Sequence, residues 1–139
     1  MFFLITLFAK VSSISLKLLK LGHGYTWPGH FILKIFPNIL VSLNNKYPKG
    51  LIFISGTNGK TTTTKLITHL LRKRGLRVTT NASGANMLNG VLSSFLLNTT
   101  FTGKISSDIG VFEVDEFNLS LLLKKVTPDV LVLLNLTRD

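Results

Sequence analysis

The segment formed by residues 56–61 (GTNGKT) constrains the fold more than any other part of this chain. It follows a short apolar run, Leu51–Ser55 (LIFIS), that is typical of a buried strand, and it precedes leucines at helical spacing. Glycines let a backbone curl so that consecutive N–H groups point at phosphate oxygens, and a helix N-terminus adds positive potential. The arrangement predicts a phosphate-binding loop between a strand and a helix.

Two residues of this loop carry side-chain chemistry. Lys60 supplies a full positive charge for the β- and γ-phosphates of a nucleotide, and the Thr61 hydroxyl can bind Mg²⁺. The common phosphate-loop pattern has a glycine five positions before the second glycine, but Ile54 occupies that position here, so the loop is a tighter variant. A glycine-rich turn with a chance Lys-Thr pair is the alternative, and the strand–loop–helix context argues against it.

A nucleotide site also needs a carboxylate at the end of another strand, to hold Mg²⁺ directly or through water. Glu113 closes the apolar strand predicted over residues 109–114 (IGVFEV), and Asp115 and Glu116 follow it. We predict Glu113 as a metal ligand, with Asp115 and Glu116 at the start of the next helix or in support of the ligand. The alternative is that all three acids begin and cap that helix.

Strands and helices alternate from residue 51 onward. The predicted strands are residues 51–55, 76–80, 109–114 and 130–136. The predicted helices are the one that follows the loop and ends at Gly75, residues 87–97 and residues 117–125. The apolar face of the first of these helices is formed by Leu66, Ile67, Leu70 and Leu71. The alternation predicts an α/β fold with a mostly parallel sheet and right-handed crossovers.

Two helices are predicted ahead of the first strand. Residues 1–21 are apolar at helical spacing, but three lysines interrupt them, and the uninterrupted apolar run is too short to span a bilayer. This first helix packs on its own protein, rests on a membrane surface as a peripheral contact, or acts as an uncleaved signal or anchor. A second helix is predicted over residues 29–44, with a kink or restart at Pro37.

We therefore predict an N-terminal helical segment over residues 1–48 and a nucleotide-binding domain over residues 49–139. The chain stops at Asp139, directly after a predicted strand and without a following element. We expect it to be the N-terminal part of a longer protein, and the alternative is a complete small protein.

Composition and charge narrow the classes of protein and partner. The hydrophobic fraction of 45% and the charged fraction of 16% exclude intrinsic disorder, which needs low hydrophobicity and high charge. The net charge is +10, and no Asp or Glu occurs before Asp108, which suggests an anionic partner: a nucleotide, a nucleic acid or an anionic membrane. Cysteine is absent, and the three histidines share no metal-ligand spacing, so zinc is not indicated.

The stretch GTNGKTTT after LIFIS resembles the ATP loop of the Mur ligase superfamily, whose members activate a carboxylate as an acyl phosphate and then join it to an amine. Three further segments narrow the resemblance to the MurT branch, the Mur-ligase-like subunits of lipid II isoglutaminyl synthases. They are WPG with HFILKIFPNIL at residues 27–40, NASGAN with a later glycine at residues 81–90, and FEVDE at residues 112–116 followed by PD and LLNLTRD.

The resemblance implies ATP-dependent amidation of the D-glutamate in the lipid II stem peptide to D-isoglutamine, in peptidoglycan synthesis. It implies a GatD-type glutamine amidotransferase partner that supplies ammonia, and a cytoplasmic location, at the inner face of the membrane if the first helix rests there. Catalytic residues would lie beyond residue 139, so that this chain alone would be inactive.

The resemblance also implies a set of ligand-binding residues. Thr61 and Glu113 would bind Mg²⁺. The residues implied to bind ATP are Gly56, Thr57, Asn58, Gly59, Lys60, Thr61, Thr62, Asn81, Asn86 and Asn135.

Other functions share parts of this pattern. Another Mur-type amino-acid ligase, or a folylpolyglutamate synthase-like enzyme, shares the ATP loop but should lack the WPG and NASGAN segments in this order. A regulatory switch NTPase would usually carry a fuller phosphate loop and a base-recognition motif. A nucleic-acid-binding protein would explain the charge, but the cations are scattered and no aromatic-rich RNA-binding signature is present, so no nucleic-acid partner is predicted.

Overall fold

The computed structural model describes residues 2–18, 26–81 and 84–135. The helices are α1 (Phe2–Leu18), α2 (Trp27–Ile35), α3 (Lys60–Lys73), α4 (Leu88–Leu97) and α5 (Glu116–Leu123), with a short 3₁₀ helix at Ile39–Leu43. The strands are β1 (Leu51–Ser55), β2 (Val78–Thr80), β3 (Ile109–Glu113) and β4 (Val130–Leu133). The end of the predicted first helix, at residues 19–21, and the last residue of the predicted fourth strand, at 136, lie outside the described residues.

The four strands form one sheet in the order β2-β3-β1-β4, and every pair is parallel. Strand β1 lies between β3 and β4, with Phe53 opposite Phe112 on one side and Leu131 on the other. The prediction of an α/β fold with a mostly parallel sheet is confirmed. Because parallel strands end at the same edge of a sheet, the C-terminal ends of β1, β3 and β4 lie side by side.

The sheet is buried by helices on both faces, which is why β1 and β3 are almost continuously apolar. Side chains alternate between the faces. Phe53 and Phe112 belong to the larger core, which includes residues of α1, α2, α4 and α5. Ile54 and Val111 belong to a smaller core, which the side chains of α3 cover.

Helix α3 is rotated relative to the sequence prediction. Ile67 and Leu71 pack against the smaller core as expected, but Leu66 and Leu70 are more than half exposed. The buried face instead includes Thr64 and Thr68. These two threonines lie three and seven residues after Thr61, so they continue the helix face that Thr61 turns towards the sheet. The loop at the start of the helix therefore determines its rotation.

The helical segment before β1 is broken where proline predicts a break. Instead of one helix over residues 29–44, α2 ends at Ile35 and the 3₁₀ helix Ile39–Leu43 follows Pro37. Helix α2 also begins earlier than predicted, at Trp27, with Pro28 in its first turn. The prediction of a kink or restart at Pro37 is confirmed, and the prediction of one continuous helix is wrong.

Two glycines allow close contacts around α4. The amide of Gly29 in α2 donates a hydrogen bond to Ser93 Oγ in α4 at 2.8 Å, and a Cβ at Gly29 would lie 2.0 Å from the carbonyl oxygen of Asn89. A Cβ at Gly90 would lie 2.2 Å from the carbonyl oxygen of Ala85. These contacts give a packing reason for the glycine of the WPG segment and for the later glycine, Gly90, that follows the NASGAN segment.

The edge of the sheet at β2 carries an exposed ion pair. Arg77 Nη2 lies 3.0 Å from Asp108 Oδ1, and the Arg77 amide donates to Asp108 Oδ2 at 2.8 Å. Hydrogen bonds from the side chain and backbone of Arg77 lower the pKa of Asp108 from 3.8 to about 2. A lowered pKa in the folded state means that this contribution to stability is present above pH 3.8 and disappears as the pH falls towards 2.

We therefore expect Asp108→Asn to reduce stability at neutral pH, with a difference from the parent protein that shrinks as the pH falls from 3.8 towards about 2. Urea unfolding at a series of pH values measures this difference. A difference that stays constant across that window would contradict the proposed role of the charge.

Candidate phosphate-binding site

The loop between β1 and α3 has the backbone geometry of an anion cradle. Gly56 and Gly59 have φ values of +140° and +84°, in the left-handed region that favours glycine. A Cβ at Gly56 would also lie 2.8 Å from Leu134 Cβ. Helix α3 begins at Lys60, and the N–H groups of its first turn have no partner within the helix. The loop therefore directs amide groups and the positive end of a helix to one place.

The side chain of Lys60 folds back over this loop. Its ammonium group donates hydrogen bonds to the carbonyl oxygens of Gly56 and Thr57, the second at 3.0 Å. The same nitrogen lies 3.6 Å from Glu116 Oε2. The cation is thus held at the mouth of the loop, where phosphate oxygens would compete with these acceptors for it.

Thr61 and Glu113, the two predicted metal ligands, are in direct contact. Thr61 Oγ1 donates to Glu113 Oε2 at 2.9 Å, and Glu113 is a buried residue at the C-terminal end of β3. A hydroxyl and a carboxylate oxygen are ligands that suit Mg²⁺, which keeps several waters and needs few protein groups. The described part of the chain contains no group of three or more His, Cys, Asp or Glu residues that could hold a metal ion. The hydroxyl and carboxylate donors of Thr61 and Glu113 fit Mg²⁺.

Asn81 is hydrogen-bonded to the backbone of Glu113. Its side-chain amide donates to the carbonyl oxygens of Glu113 at 2.8 Å and Ala85 at 2.7 Å, and its Oδ1 accepts a hydrogen bond from the Glu113 amide at 2.9 Å. The residue is buried, and these bonds occupy its amide group. Asn86 lies closer to the carboxylate itself, with Nδ2 3.4 Å from Glu113 Oε1.

Asn135 joins the end of β4 to the loop. Its carbonyl oxygen accepts a hydrogen bond from the Thr57 amide at 2.8 Å, and its Oδ1 accepts one from the Asn58 amide at 3.2 Å. Sequence reasoning placed Asn135 among the nucleotide-binding residues. The structure brings it to the loop, where it positions the backbone.

Most of the predicted residues line one cavity of about 380 Å³. The residues around it are Thr57, Asn58, Gly59, Lys60, Thr61, Thr62, Gly84, Asn86 and Glu113. Gly56, Asn81 and Asn135 are not part of this lining, and the last two act on the residues that are.

Sequence analysis gave Glu116 and Asp115 to the start of the following helix. Asp115 is the N-cap of α5, where its Oδ1 accepts a hydrogen bond from the Phe117 amide at 3.0 Å, so that prediction is confirmed. Glu116 begins the helix as well, but it also contacts Lys60. Gly84 was not predicted, and its place in the NASGAN segment was the only available signal.

A second cavity, of about 430 Å³, shares Thr61 and Glu113 with the first and was not predicted from the sequence. Its lining residues are Thr61, Thr64, Lys65, Thr68, His69, Arg72, Thr80, Asn81 and Glu113. The hydroxyls of Thr64 and Thr68 are buried and find no hydrogen-bond partner among the described residues. Polar residues in this stretch of α3 therefore border the site.

The sequence is similar to those of MurT subunits. The chain is 39% identical over 120 residues to the MurT subunit of lipid II isoglutaminyl synthase (glutamine-hydrolyzing) from Streptococcus pneumoniae, covering 86% of this chain and 26% of that protein. It is 40% identical over 116 residues to the same subunit from Staphylococcus aureus strain COL, covering 84% and 25%. The chain thus spans about a quarter of the length of the MurT relatives that it matches.

A more distant similarity involves amino-acid ligases. The chain is 34% identical over 108 residues to UDP-N-acetylmuramoylalanine–D-glutamate ligase of Paraburkholderia xenovorans, covering 77% of this chain and 20% of that enzyme. The family model of the Mur ligase middle domain matches residues 54–139, a stretch that contains the loop, Glu113 and Asn135. This chain belongs to the Mur ligase middle-domain family.

Proposed function

We propose that this chain supplies the nucleotide-binding part of an ATP-dependent carbon–nitrogen ligase, which amidates the D-glutamate of the lipid II stem peptide to D-isoglutamine during peptidoglycan synthesis. The observation that carries the proposal is the contact of Thr61 with Glu113 at 2.9 Å, in the same cavity as Lys60 and the loop. The similarity to MurT subunits supports the choice of this reaction among those of the family.

The loop residues would hold the triphosphate of ATP. Backbone amides at the start of α3 would bind phosphate oxygens, and Lys60 would exchange its bonds to Gly56 and Thr57 for bonds to the β- and γ-phosphates. Thr61 and Glu113 would hold Mg²⁺. When bound, the metal neutralises phosphate charge and orients the γ-phosphoryl group.

Asn81 and Asn135 would act as positioning residues. Asn81 is hydrogen-bonded to both the N–H and the carbonyl oxygen of Glu113, which limits the directions in which the carboxylate can point. Asn135 fixes the loop through the amides of Thr57 and Asn58. Both side chains would preorganise the site before the ligand arrives, as an electrostatic catalyst requires.

A carboxylate does not react with ammonia directly, because an oxide is a poor leaving group. In the proposed reaction a carboxylate oxygen attacks the γ-phosphorus, and the bond between that phosphorus and the bridging oxygen of ADP breaks. The products of this step are an acyl phosphate and ADP. Ammonia then attacks the carbonyl carbon, phosphate leaves, and the nitrogen loses a proton. A GatD-type glutamine amidotransferase would supply the ammonia, in keeping with the words "glutamine-hydrolyzing" in the names of the MurT relatives.

The proposal includes a division of labour along the chain. Residues 1–48 would form a helical segment, and residues 49–139 would form the first part of the ATP-binding domain. The catalytic acid and the residues that bind lipid II would lie beyond residue 139, because the MurT relatives are about four times as long as the matched region. The reaction would take place in the cytoplasm, where ATP is present.

The proposal is tested with the complete gene product and its amidotransferase partner. Incubation with lipid II, ATP, Mg²⁺ and glutamine is expected to lower the mass of lipid II by about one dalton, the change from a carboxylic acid to an amide. Glu113→Gln is expected to raise the Mg²⁺ concentration needed for half-maximal rate about tenfold or more. Thr61→Val should act in the same direction, whereas Thr61→Ser keeps the hydroxyl and should retain most of the activity.

The same assay separates the proposal from a second candidate. Similarity to D-glutamate ligases leaves open an enzyme that adds an amino acid to a peptidoglycan precursor or to a folate. ATP consumption with addition of an amino-acid mass would support that candidate and contradict amidation. Amide formation without ATP would contradict the assignment of the loop.

A further inference from the structure

Helix α1 turns its apolar side chains outward. Its buried positions include Ile5, Thr6, Ala9 and Ser13, which are mostly small or polar. Apolar residues at three- and four-residue spacing are instead 37–77% exposed, and they include Leu4, Leu7, Phe8, Val11, Ile14 and Leu18. A surface helix of a water-soluble domain normally has the opposite orientation, with its apolar stripe towards the core.

Neighbouring aromatic residues extend this surface. On α2, Trp27 is 54% exposed and stacks on Phe31 with ring centroids 6.1 Å apart, and Phe31 lies 6.5 Å from Phe8. Phe101, in the segment after α4, is also exposed and lies 5.6 Å from Phe3. We call the exposed apolar side chains of α1 and α2, together with Phe101, the outer apolar face. Its residues are in contact across three elements, which isolated surface hydrophobics are not.

The charges around the outer apolar face are positive. Lys10 Nζ lies 4.9 Å from the centre of the Phe101 ring, and Lys34 lines a pocket of about 360 Å³ with Trp27 and His30. The chain has no Asp or Glu before Asp108, so neither α1 nor α2 contains an acid. Lysines with long apolar stems at the border of an apolar face suit a boundary between hydrocarbon and anionic headgroups.

The combination of an apolar surface with positive charges around it distinguishes between molecules that could cover the outer apolar face. A second copy of the chain would bring the same lysines together without a carboxylate to pair with them. A bilayer with anionic lipids matches both properties, because acyl chains accept the aromatic and aliphatic side chains while the headgroups attract Lys10 and Lys34. None of the helices in the described ranges is long and apolar enough to cross a membrane.

We propose that the outer apolar face docks on the surface of an anionic membrane, with α1 and α2 lying in the plane of the interface. The proposal does not depend on the ATP site. It goes beyond the sequence-based alternatives for residues 1–21, because it names α2 and Phe101 as parts of the same surface.

The test measures binding of the full chain to vesicles of phosphatidylcholine, alone or mixed with phosphatidylglycerol. Trp27 is the only tryptophan of the chain, so its fluorescence reports on this surface directly. We expect co-sedimentation with the mixed vesicles, a blue shift of Trp27 emission, and weaker binding at high salt because screening reduces the electrostatic attraction. Vesicles without phosphatidylglycerol should bind less protein.

Two double variants separate the apolar contribution to vesicle binding from the electrostatic contribution. Phe8→Ser with Phe31→Ser is expected to lower the partition coefficient about tenfold or more, since two partly exposed aromatic rings no longer enter the bilayer. Lys10→Glu with Lys34→Glu should weaken binding to the mixed vesicles only. The matched control removes two apolar side chains of similar exposure from α3, through Leu66→Ser with Leu70→Ser, and should bind like the parent chain.

Circular dichroism establishes that each variant is folded before it is compared. Absence of vesicle binding by the folded parent chain would overturn the proposal. The proposal would also be overturned if the Leu66 and Leu70 control lost as much vesicle binding as the Phe8 and Phe31 variant. Self-association that the Phe8 and Phe31 substitutions abolish, without vesicle binding, would instead assign the surface to a second copy of the chain.

Discussion

Lys60→Ala is expected to lower the ATP-dependent turnover of the complete gene product by about 100-fold or more. The reason is geometric as well as electrostatic. The ammonium group is held over the loop by the carbonyl oxygens of Gly56 and Thr57, so it meets a bound triphosphate without a search of side-chain conformations. Its removal would leave the developing charge on the γ-phosphoryl group without its cation and would also loosen the loop.

The matched control for this variant is Lys73→Ala. Lys73 has the same charge and lies on the same helix, but it is exposed in the last turn of α3, far along the helix from the loop. Steady-state turnover and the urea midpoint are measured for both variants. Turnover of the folded Lys60→Ala variant at the parent rate would refute the assignment of the phosphate loop, and equal losses in the two variants would show only a general effect of charge.

Gly29→Ala is expected to destabilise the fold by about 3 kcal/mol or more. The new methyl group would lie 2.0 Å from the carbonyl oxygen of Asn89 and 2.6 Å from Ser93 Oγ, so α2 and α4 would have to separate. The separation would also break the hydrogen bond from the Gly29 amide to Ser93 Oγ. The carbonyl group of Asn89 belongs to the backbone of α4, so this clash cannot be relieved by a change of rotamer.

Gly75→Ala provides the comparison. Gly75 has a φ of +79°, but no atom lies within 4 Å of the position where its Cβ would be. The substitution should cost about 1 kcal/mol, which is the price of a left-handed conformation for alanine. Urea unfolding with an unchanged m-value measures both costs. Equal stability of the two variants would mean that α2 and α4 are not packed as closely as described.

The phosphate-binding loop and the strands could be predicted because their signals are local. Apolar β-branched and aromatic runs of four or five residues mark β1 and β3, and both strands lie in the interior of the sheet. The spacing from Gly56 to Thr61 depends only on the loop itself. For the same reason, Thr61 and Glu113 could each be named as a candidate metal ligand, because Thr61 follows a glycine-rich loop and Glu113 ends a strand. Their direct hydrogen bond joins two distant parts of the chain and could not be predicted.

The rotation of α3 could not be predicted, because it depends on a distant contact. Four leucine and isoleucine residues suggest one face, but the bond from Thr61 to Glu113 turns a threonine-rich face towards the sheet. The role of Asn81 escaped prediction for a similar reason. Whether an asparagine faces a ligand or a peptide unit of Glu113 depends on the register of two loops that are far apart in the sequence.

The orientation of α1 was also beyond the sequence pattern. Helical spacing of apolar residues predicts a helix and an apolar stripe, and it does not say whether that stripe faces the protein or the outside. Small residues such as Ala9 and Ser13 face inward, where the neighbouring helices come close. A pattern that weighs hydrophobicity alone gives such residues little weight.

The hydrogen bonds between Asn135 and the loop connect two properties: the pairing of strand β4 with a further strand and the binding of a ligand at the loop. Among the described strands, β4 lies at one edge of the sheet and is largely exposed, and an edge strand presents backbone groups with which a further strand can pair. Any partner that orders β4 would also order the amides of Thr57 and Asn58 through Asn135. By thermodynamic reciprocity, a ligand that tightens the loop must strengthen that pairing by the same free energy. Strand addition at this edge and ligand binding at the loop would therefore be coupled equilibria.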